Sequence, residues 1–100
     1  MANITHIFWE DKTALQLEEV KYQAFYRCDE LKYLEMPTNK DVMIASYAFN
    51  RCEKFFENIE QEYADAFFKN ITIIQGSAFL KNSFENVVIN LSEKLTWLGS

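Results

Sequence analysis

Residues 42–66 read VMIASYAFNRCEKFFENIEQEYADA, a stretch that contains neither glycine nor proline. Its apolar residues recur at alternating steps of three and four: Val42, Ala45, Phe49, Cys52, Phe56, Ile59, Tyr63 and Ala66. That spacing would place all eight on one face of an α-helix. The stretch therefore predicts a long helix, which needs other helices to cover its apolar face.

The segments on either side of this stretch carry signals for the start and the end of helices. Thr13 and Gln16 have the spacing of a capping box, which predicts a helix over 13–35. Pro37 ends that helix because the residue before a proline is pushed out of the helical region. Thr38 with Asp41 is a weaker cap of the same kind and predicts that the long helix covers 39–69.

The C-terminal third predicts one more helix, over 80–98. Asn82 with Glu85 is its possible cap, and Gly99 stands at its C-terminal side. The predicted fold class is therefore all-α: a small bundle of three main helices with a short extended N-terminal segment. Residues 1–100 are interpreted as a single helical domain.

The alternative is an α+β fold with a two-stranded element. Residues 3–9 and residues 70–75 are rich in β-branched and aromatic side chains, which suit strands. Each segment is short and needs a partner, so the two could pair with one another. No internal repeat with a period of 20–50 residues is evident.

Composition narrows the partners that this chain can bind directly. The formal net charge is −5, and 16% of the residues are aromatic. The acidic excess lies in the first two-thirds of the chain. Phosphate backbones are contacted mainly by clustered lysine and arginine, so direct binding to nucleic acid is not expected.

Targeting signals do not stand out in the sequence. The first nine residues show no basic leader followed by a long apolar core. No apolar run approaches the roughly 20 residues that a membrane-spanning helix needs. A cytoplasmic location without membrane association is the expectation.

Reactive side chains are too few and too scattered to indicate an enzyme. His6 is the only histidine, and Cys28 and Cys52 are the only cysteines. A helical hairpin would offset the two thiols by about 9 Å along its axis, which disfavours a disulfide. A zinc site usually takes four ligands from such residues. We expect a non-enzymatic protein with no cofactor and no metal.

Carboxylates and aromatic residues of the predicted long helix are the candidate binding surface. The acidic members are Glu53, Glu57, Glu60, Glu62 and Asp65, and the aromatic members are Tyr47, Phe55 and Phe68. A solvated helix face and a second core-facing side are the simpler interpretations. Aromatic anchors surrounded by charge are also typical of binding hot spots.

Two functions follow from this reading. The first is a small acidic protein that binds and inhibits a protein partner with a basic surface, as immunity proteins and phage anti-defence inhibitors do. This comparison rests on general character, and the sequence shows no motif that assigns it to a family. The alternative is a structural helical subunit whose surplus aromatic residues form a homodimer or a larger homo-oligomer.

Overall fold

Three equivalent corners organise the chain. A computed structural model describes residues 4–84 and 86–98. Six-residue turns with the sequences YQAFYR, SYAFNR and GSAFLK begin at residues 22, 46 and 76, so they are 24 and then 30 residues apart. Each holds an Ala-Phe pair at its third and fourth positions. We name them the first corner (22–27), the second corner (46–51) and the third corner (76–81).

The corners share an unusual backbone. The second and the last residue of each corner have φ between 54° and 62°: Gln23, Arg27, Tyr47, Arg51, Ser77 and Lys81. Residues other than glycine lose roughly 1–2 kcal/mol in this left-handed region. The same two positions adopt it in all three corners, so the conformation is a property of the repeat and not of one residue.

Hydrogen bonds between corners offset that cost. The N–H of Phe25 donates to the carbonyl of Ala48 at 2.8 Å, and the N–H of Phe49 donates to the carbonyl of Ala78 at 2.9 Å. Two residues further along, Arg27 and Arg51 donate to the next corner in the same way, both at 3.0 Å. Each corner is therefore held to the next by two backbone hydrogen bonds.

Short strands connect the corners. They are β1 (His6–Ile7), β2 (Glu19–Val20), β3 (Tyr33–Leu34), β4 (Val42–Ile44), β5 (Ile71–Gln75) and β6 (Thr96–Leu98). β1 and β3 form a two-stranded parallel sheet, and the other four form a parallel sheet in the order β2-β4-β5-β6. Each pass of the chain thus adds a strand beside the previous one, which is the architecture of a solenoid.

The core lies inside the stacked coils and contains a large cluster of aromatic rings among its aliphatic residues. Phe25, Phe49 and Phe79 occupy the same position in the three corners. Their rings stack nearly parallel, with centroids 5.4 Å and 5.5 Å apart. Phe49 also stacks on Phe55 at 4.4 Å, and Phe67 packs edge-on against both. Aromatic pairs at these separations add to the free energy of burial alone.

The coil between the second and the third corner is the longer one, and it contains the only helix of the described residues, α1 (Gln61–Phe68). Ala64, Phe67 and Phe68 are its buried residues. The next coil docks on its outer side: the amide of Gln61 donates to the carbonyl of Val88 at 2.7 Å and accepts from the N–H of Val88 at 2.8 Å. Gln61 therefore pairs with the Val88 backbone as a neighbouring strand would.

The all-α prediction is wrong. Of the three predicted helices, only 61–68 within 39–69 is helical, whereas 13–35 and the described part of 80–98 contain strands, turns and irregular segments. Val42, Ala45, Phe49, Cys52 and Phe56 are buried, but a strand and turns bring them into the core. A coil that turns inward every few residues produces the same three- and four-residue spacing as a helix. In α1 itself, Tyr63 and Ala66 belong to the predicted apolar face but are exposed, and the buried side of the helix is formed by other residues.

The residues interpreted as helix caps have other roles. The N–H and hydroxyl of Thr13 donate to one carboxylate oxygen of Asp11 at 3.0 Å and 2.6 Å, which closes a local turn. The side chain of Asn82 donates to the carbonyls of Phe49 and Cys52, both at 2.9 Å, and so ties the third corner to the second. Of the remaining predicted cap residues, Glu85 and Gly99 lie outside the described residues.

The α+β alternative is closer to the structure, but its pairing is wrong. Strands do lie within 3–9 and 70–75, although Asn3 is outside the described residues. β1 pairs with β3, and β5 pairs with β4 and β6. The expectation that the chain lacks an internal repeat is also wrong, because the corners repeat at intervals of 24 and 30 residues.

The central ring of the corner stack should contribute more to stability than an exposed ring of the same repeat. Phe49→Ala removes a fully buried side chain, and we expect it to lower the free energy of unfolding by about 3–5 kcal/mol. Tyr26→Ala, one position later in the first corner and 39% exposed, is the control. Urea unfolding measures both. A loss below about 1 kcal/mol for Phe49→Ala would show that the stack does not hold the core together.

The left-handed corner positions should reject β-branched side chains. Arg51 is exposed, yet we expect Arg51→Val to cost about 1–2 kcal/mol because valine is poorly accommodated at positive φ. Arg51→Gly removes the same charge and relieves the backbone, so its unfolding midpoint should stay above that of the valine variant. Equal midpoints in urea would contradict the corner geometry.

Candidate functional site

A surface cavity of about 290 Å³ lies where the β1–β3 sheet meets the start of α1. Seven residues from three successive coils line it: His6, Phe8, Tyr33, Asn58, Ile59, Glu60 and Tyr63. It combines several aromatic rings with one carboxylate. We name it the aromatic cavity.

Strand pairing builds one wall of the aromatic cavity. His6 and Phe8 are two residues apart in an extended segment, so their side chains lie on the same side. Their rings are nearly parallel, with centroids 6.1 Å apart. The parallel register places Tyr33 beside His6, and the ring of Tyr33 lies 5.8 Å from that of Phe8.

The approach to α1 builds the opposite wall. Asn58 takes a left-handed conformation (φ 59°), and the chain then enters α1 at its N-cap, Glu60. Tyr63 packs edge-on against Tyr33 at 5.6 Å, and the Tyr33 hydroxyl donates to the Tyr63 carbonyl at 3.0 Å. Burial raises the pKa of the Tyr33 phenol well above its usual value, so this group remains a proton donor.

Glu60 is the charged group of the aromatic cavity. Its carbonyl accepts the N–H groups of Tyr63 and Ala64 at 3.0 Å and 3.2 Å, but its side chain forms no cap hydrogen bond. Within residues 4–84 and 86–98, no ion pair of 4.0 Å or less involves its carboxylate. The aromatic cavity is therefore lined by aromatic residues and by an exposed acidic residue that has no ion-pair partner within 4.0 Å in the described residues, a combination that suits a cationic ligand.

The predicted acidic surface is not continuous. Glu57 pairs with Lys32 at 3.6 Å, and Glu53 lines a separate cavity with residues of both charges. Glu62 is exposed in the first turn of α1. Of the five predicted carboxylates, only Glu60 lines the aromatic cavity. The sequence prediction assumed one helix over 39–69, and the break before α1 separates these groups.

Asp65 is engaged in hydrogen bonds within the protein. Its Oδ1 atom accepts from the amide of Gln61 at 2.8 Å and from the amide of Asn90 at 3.0 Å. Those two bonds favour the charged form and hold the pKa of Asp65 below its ordinary value of 3.8, with Asn90 the larger cause. Asp65 joins α1 to the following coil, and this explains its position better than partner steering does.

Two of the three predicted aromatic anchors lie in the core. Phe55 and Phe68 are buried among other phenylalanine rings, so neither is accessible to a partner in the folded protein. Tyr47 is exposed and packs edge-on against Tyr22 at 5.9 Å. Phe55 and Phe68 therefore do not form the binding anchors that were predicted. They lie outside the apolar face of the predicted helix, but in the solenoid both positions belong to the core.

Sequence reasoning missed most of the aromatic cavity. It assigned His6 no place in a site and assigned Ile59 only to the apolar face of the predicted helix, and it singled out neither Phe8, Tyr33 nor Asn58. The alternation of His6 and Phe8 in an extended segment could have indicated a shared aromatic face. The other lining residues come together only because the coils stack, and that stacking was not recognised.

The two cysteines are free, as predicted, but the helical hairpin from which their offset was derived is not formed. They follow the first and second corners at equivalent positions and so stack on one another. Cys52 donates its thiol to the carbonyl of Phe25 at 2.8 Å, and burial raises its pKa to about 12. Burial also raises the pKa of Cys28.

Two kinds of feature are absent from the part of the chain that the structure describes. No group of three or more histidine, cysteine, aspartate or glutamate side chains lies within metal-binding reach in residues 4–84 and 86–98. In the same ranges, no helix has the length and the apolar character needed to cross a bilayer.

Comparison with known proteins gives no relative: no family model, no curated protein and no solved structure matches this chain. Function is therefore inferred from the geometry of the site itself.

Removing the Asn90 amide should raise the pKa of Asp65. We expect Asn90→Ala to move it toward the ordinary value of 3.8, as measured by NMR titration of the carboxyl carbon. A lowered pKa in the folded state means that the stabilisation is present above pH 3.8 and is lost as the pH falls through the folded value. Ser92→Ala, nearby in the same coil, is the control. If the pKa of Asp65 is the same in Asn90→Ala as in the unaltered protein, the hydrogen bond from Asn90 to Asp65 is contradicted.

Proposed function

We propose that this protein is a non-enzymatic binding module for a protein partner with a basic surface. A lysine or arginine side chain of that partner enters the aromatic cavity and lies against the rings of Phe8, Tyr33 and Tyr63. The observation that carries this proposal is that Glu60, which has no ion-pair partner within 4.0 Å in the described residues, lines a cavity together with four aromatic or imidazole rings. A cavity for a neutral apolar ligand would not need that charge.

The attraction in such a site has two parts. A cation over an aromatic face gains about 0.5–1 kcal/mol at an exposed site and about 2 kcal/mol when it loses its water. The Glu60 carboxylate adds Coulomb attraction, which is stronger beside low-dielectric walls than in bulk water. Both parts select positive charge, and the net charge of −5 favours the approach of a basic partner.

The surface around the aromatic cavity supports a protein partner. Glu62, two residues beyond Glu60, is exposed and can contribute to long-range attraction without entering the cavity. Charges of this kind act mainly on the association rate, whereas a side chain buried in a cavity acts on dissociation. Occupying a basic patch of a partner is also how a small acidic protein inhibits it, so we retain inhibition as the proposed outcome of binding.

A titration with the tetramethylammonium ion tests the aromatic cavity. We expect it to shift the NMR signals of Phe8, Tyr33 and Tyr63, and tert-butanol, which is similar in shape but neutral, to shift them less. Phe8→Leu keeps apolar bulk but removes a ring, and it should weaken binding about two- to fivefold, corresponding to about 0.5–1 kcal/mol. Glu60→Gln should also weaken binding relative to the unaltered protein. This loss of affinity should be largest at low salt, where the carboxylate charge is least screened.

Glu62→Gln is the matched control, because it removes one carboxylate from the same turn without altering the lining of the aromatic cavity. It should bind tetramethylammonium as the unaltered protein does. Equal responses to tetramethylammonium and tert-butanol, or equal losses in the two glutamine variants, would refute a cation site.

A further inference from the structure

The position directly after each corner directs its side chain back to the preceding coil. Cys52, after the second corner, donates its thiol to the carbonyl of Phe25 at 2.8 Å. Asn82, after the third corner, donates its amide to the carbonyl of Phe49 at 2.9 Å, which is the same contact one coil further on. Cys28 holds this position after the first corner. A side chain that reaches back from Cys52 is therefore directed at the coil that holds Cys28.

Backbone hydrogen bonds hold the two coils together on both sides of the cysteine pair. Before it, the N–H of Arg27 donates to the carbonyl of Asn50 at 3.0 Å. After it, the N–H of Phe56 donates to the carbonyl of Lys32 at 2.8 Å. Backbones paired in this way lie about 4.7–4.9 Å apart, and a disulfide joins Cα atoms that are about 4.4–6.8 Å apart. The coils therefore hold the cysteine pair at a spacing that a disulfide can bridge.

The two thiols themselves are neighbours. The N–H of Cys28 donates to the carbonyl of Phe25 at 3.1 Å, so it shares this acceptor with the thiol of Cys52. Burial is the largest cause of both raised thiol pKa values, and each cysteine is a further cause of the shift in the other. Cys28 is partly exposed, whereas Cys52 is fully buried behind it. A reagent in solution therefore meets Cys28 first.

We propose that Cys28 and Cys52 are a reversible disulfide site, which fastens the coil after the first corner to the coil after the second. The oxidant is a small-molecule disulfide. The sulfur of Cys28 attacks it and forms a mixed disulfide, and the proton of Cys28 leaves with the first released thiol. The sulfur of Cys52 then attacks the sulfur of Cys28 and expels the second thiol, which takes the proton of Cys52. Two electrons and two protons pass from the protein to the reagent.

Burial and proximity act on different aspects of this reaction. Because burial keeps both thiols protonated at neutral pH, the exchange is slow. Its equilibrium depends instead on how closely the fold holds the two sulfurs. The disulfide would close a loop between coils that hydrogen bonds and packing alone now hold together, and so it would restrict the unfolded chain more than the folded one.

Equilibration with reduced and oxidised glutathione tests the site. After alkylation of the remaining thiols, mass spectrometry should show a monomer that has lost two hydrogen atoms, and peptide mapping should join Cys28 to Cys52. The equilibrium constant should be at least about tenfold larger for the folded protein than in urea, where the coils no longer align the sulfurs. The thermal unfolding midpoint of the oxidised protein should be higher by at least about 5 °C and should return after treatment with dithiothreitol.

The single variants test the order of attack. Cys52→Ala should keep one glutathione on Cys28, because the thiol that resolves the mixed disulfide is missing. Cys28→Ala should take up little, because its remaining thiol is buried. Circular dichroism establishes that both variants are folded. A stable glutathione adduct on the unaltered protein, disulfides mainly between chains, or equal equilibrium constants with and without urea would overturn the proposal.

Discussion

The stack of Phe25, Phe49 and Phe79 is the contact on which the rest of this structure depends. Each ring belongs to a corner whose backbone is left-handed at two positions, and the hydrogen bonds between corners keep the rings in register. Strands of two to five residues are too short to hold a sheet together alone. The corners supply the alignment, and the strands then pair because their ends are already in place.

Much of the core could be predicted from the sequence, but its architecture could not. Val42, Phe49 and Phe56 were identified as apolar positions of one face, and all three are buried. Helical periodicity and solenoid corners produce similar spacing over a short stretch, so a single window cannot separate them. The distinguishing signal is the recurrence of Ala-Phe at residues 24, 48 and 78, with a cysteine or an asparagine four residues after each alanine. Unequal intervals of 24 and 30 residues concealed it, because α1 lengthens one coil.

The candidate site was less predictable because its parts are distant in sequence. His6, Tyr33 and Glu60 each belong to a different coil, and only the stacking of three coils brings them to one cavity. The prediction of a continuous acidic surface was wrong for a different reason. It assumed that residues close in sequence share one helix face, whereas only 61–68 is helical in this part of the chain. Asp65 illustrates the difference, since two amides from within the protein donate to the carboxylate that the predicted helix assigned to a partner-binding surface.

The same repetition that buries the core also builds the aromatic cavity. A coil buries its apolar side against a neighbour, so the stacked coils share one continuous core. The aromatic cavity lies on the side of the coils, where the β1–β3 pairing and the approach to α1 bring its two walls together. One architecture thus provides two environments of different chemistry: an apolar interior, and a cavity at its side that combines aromatic rings with an acidic residue.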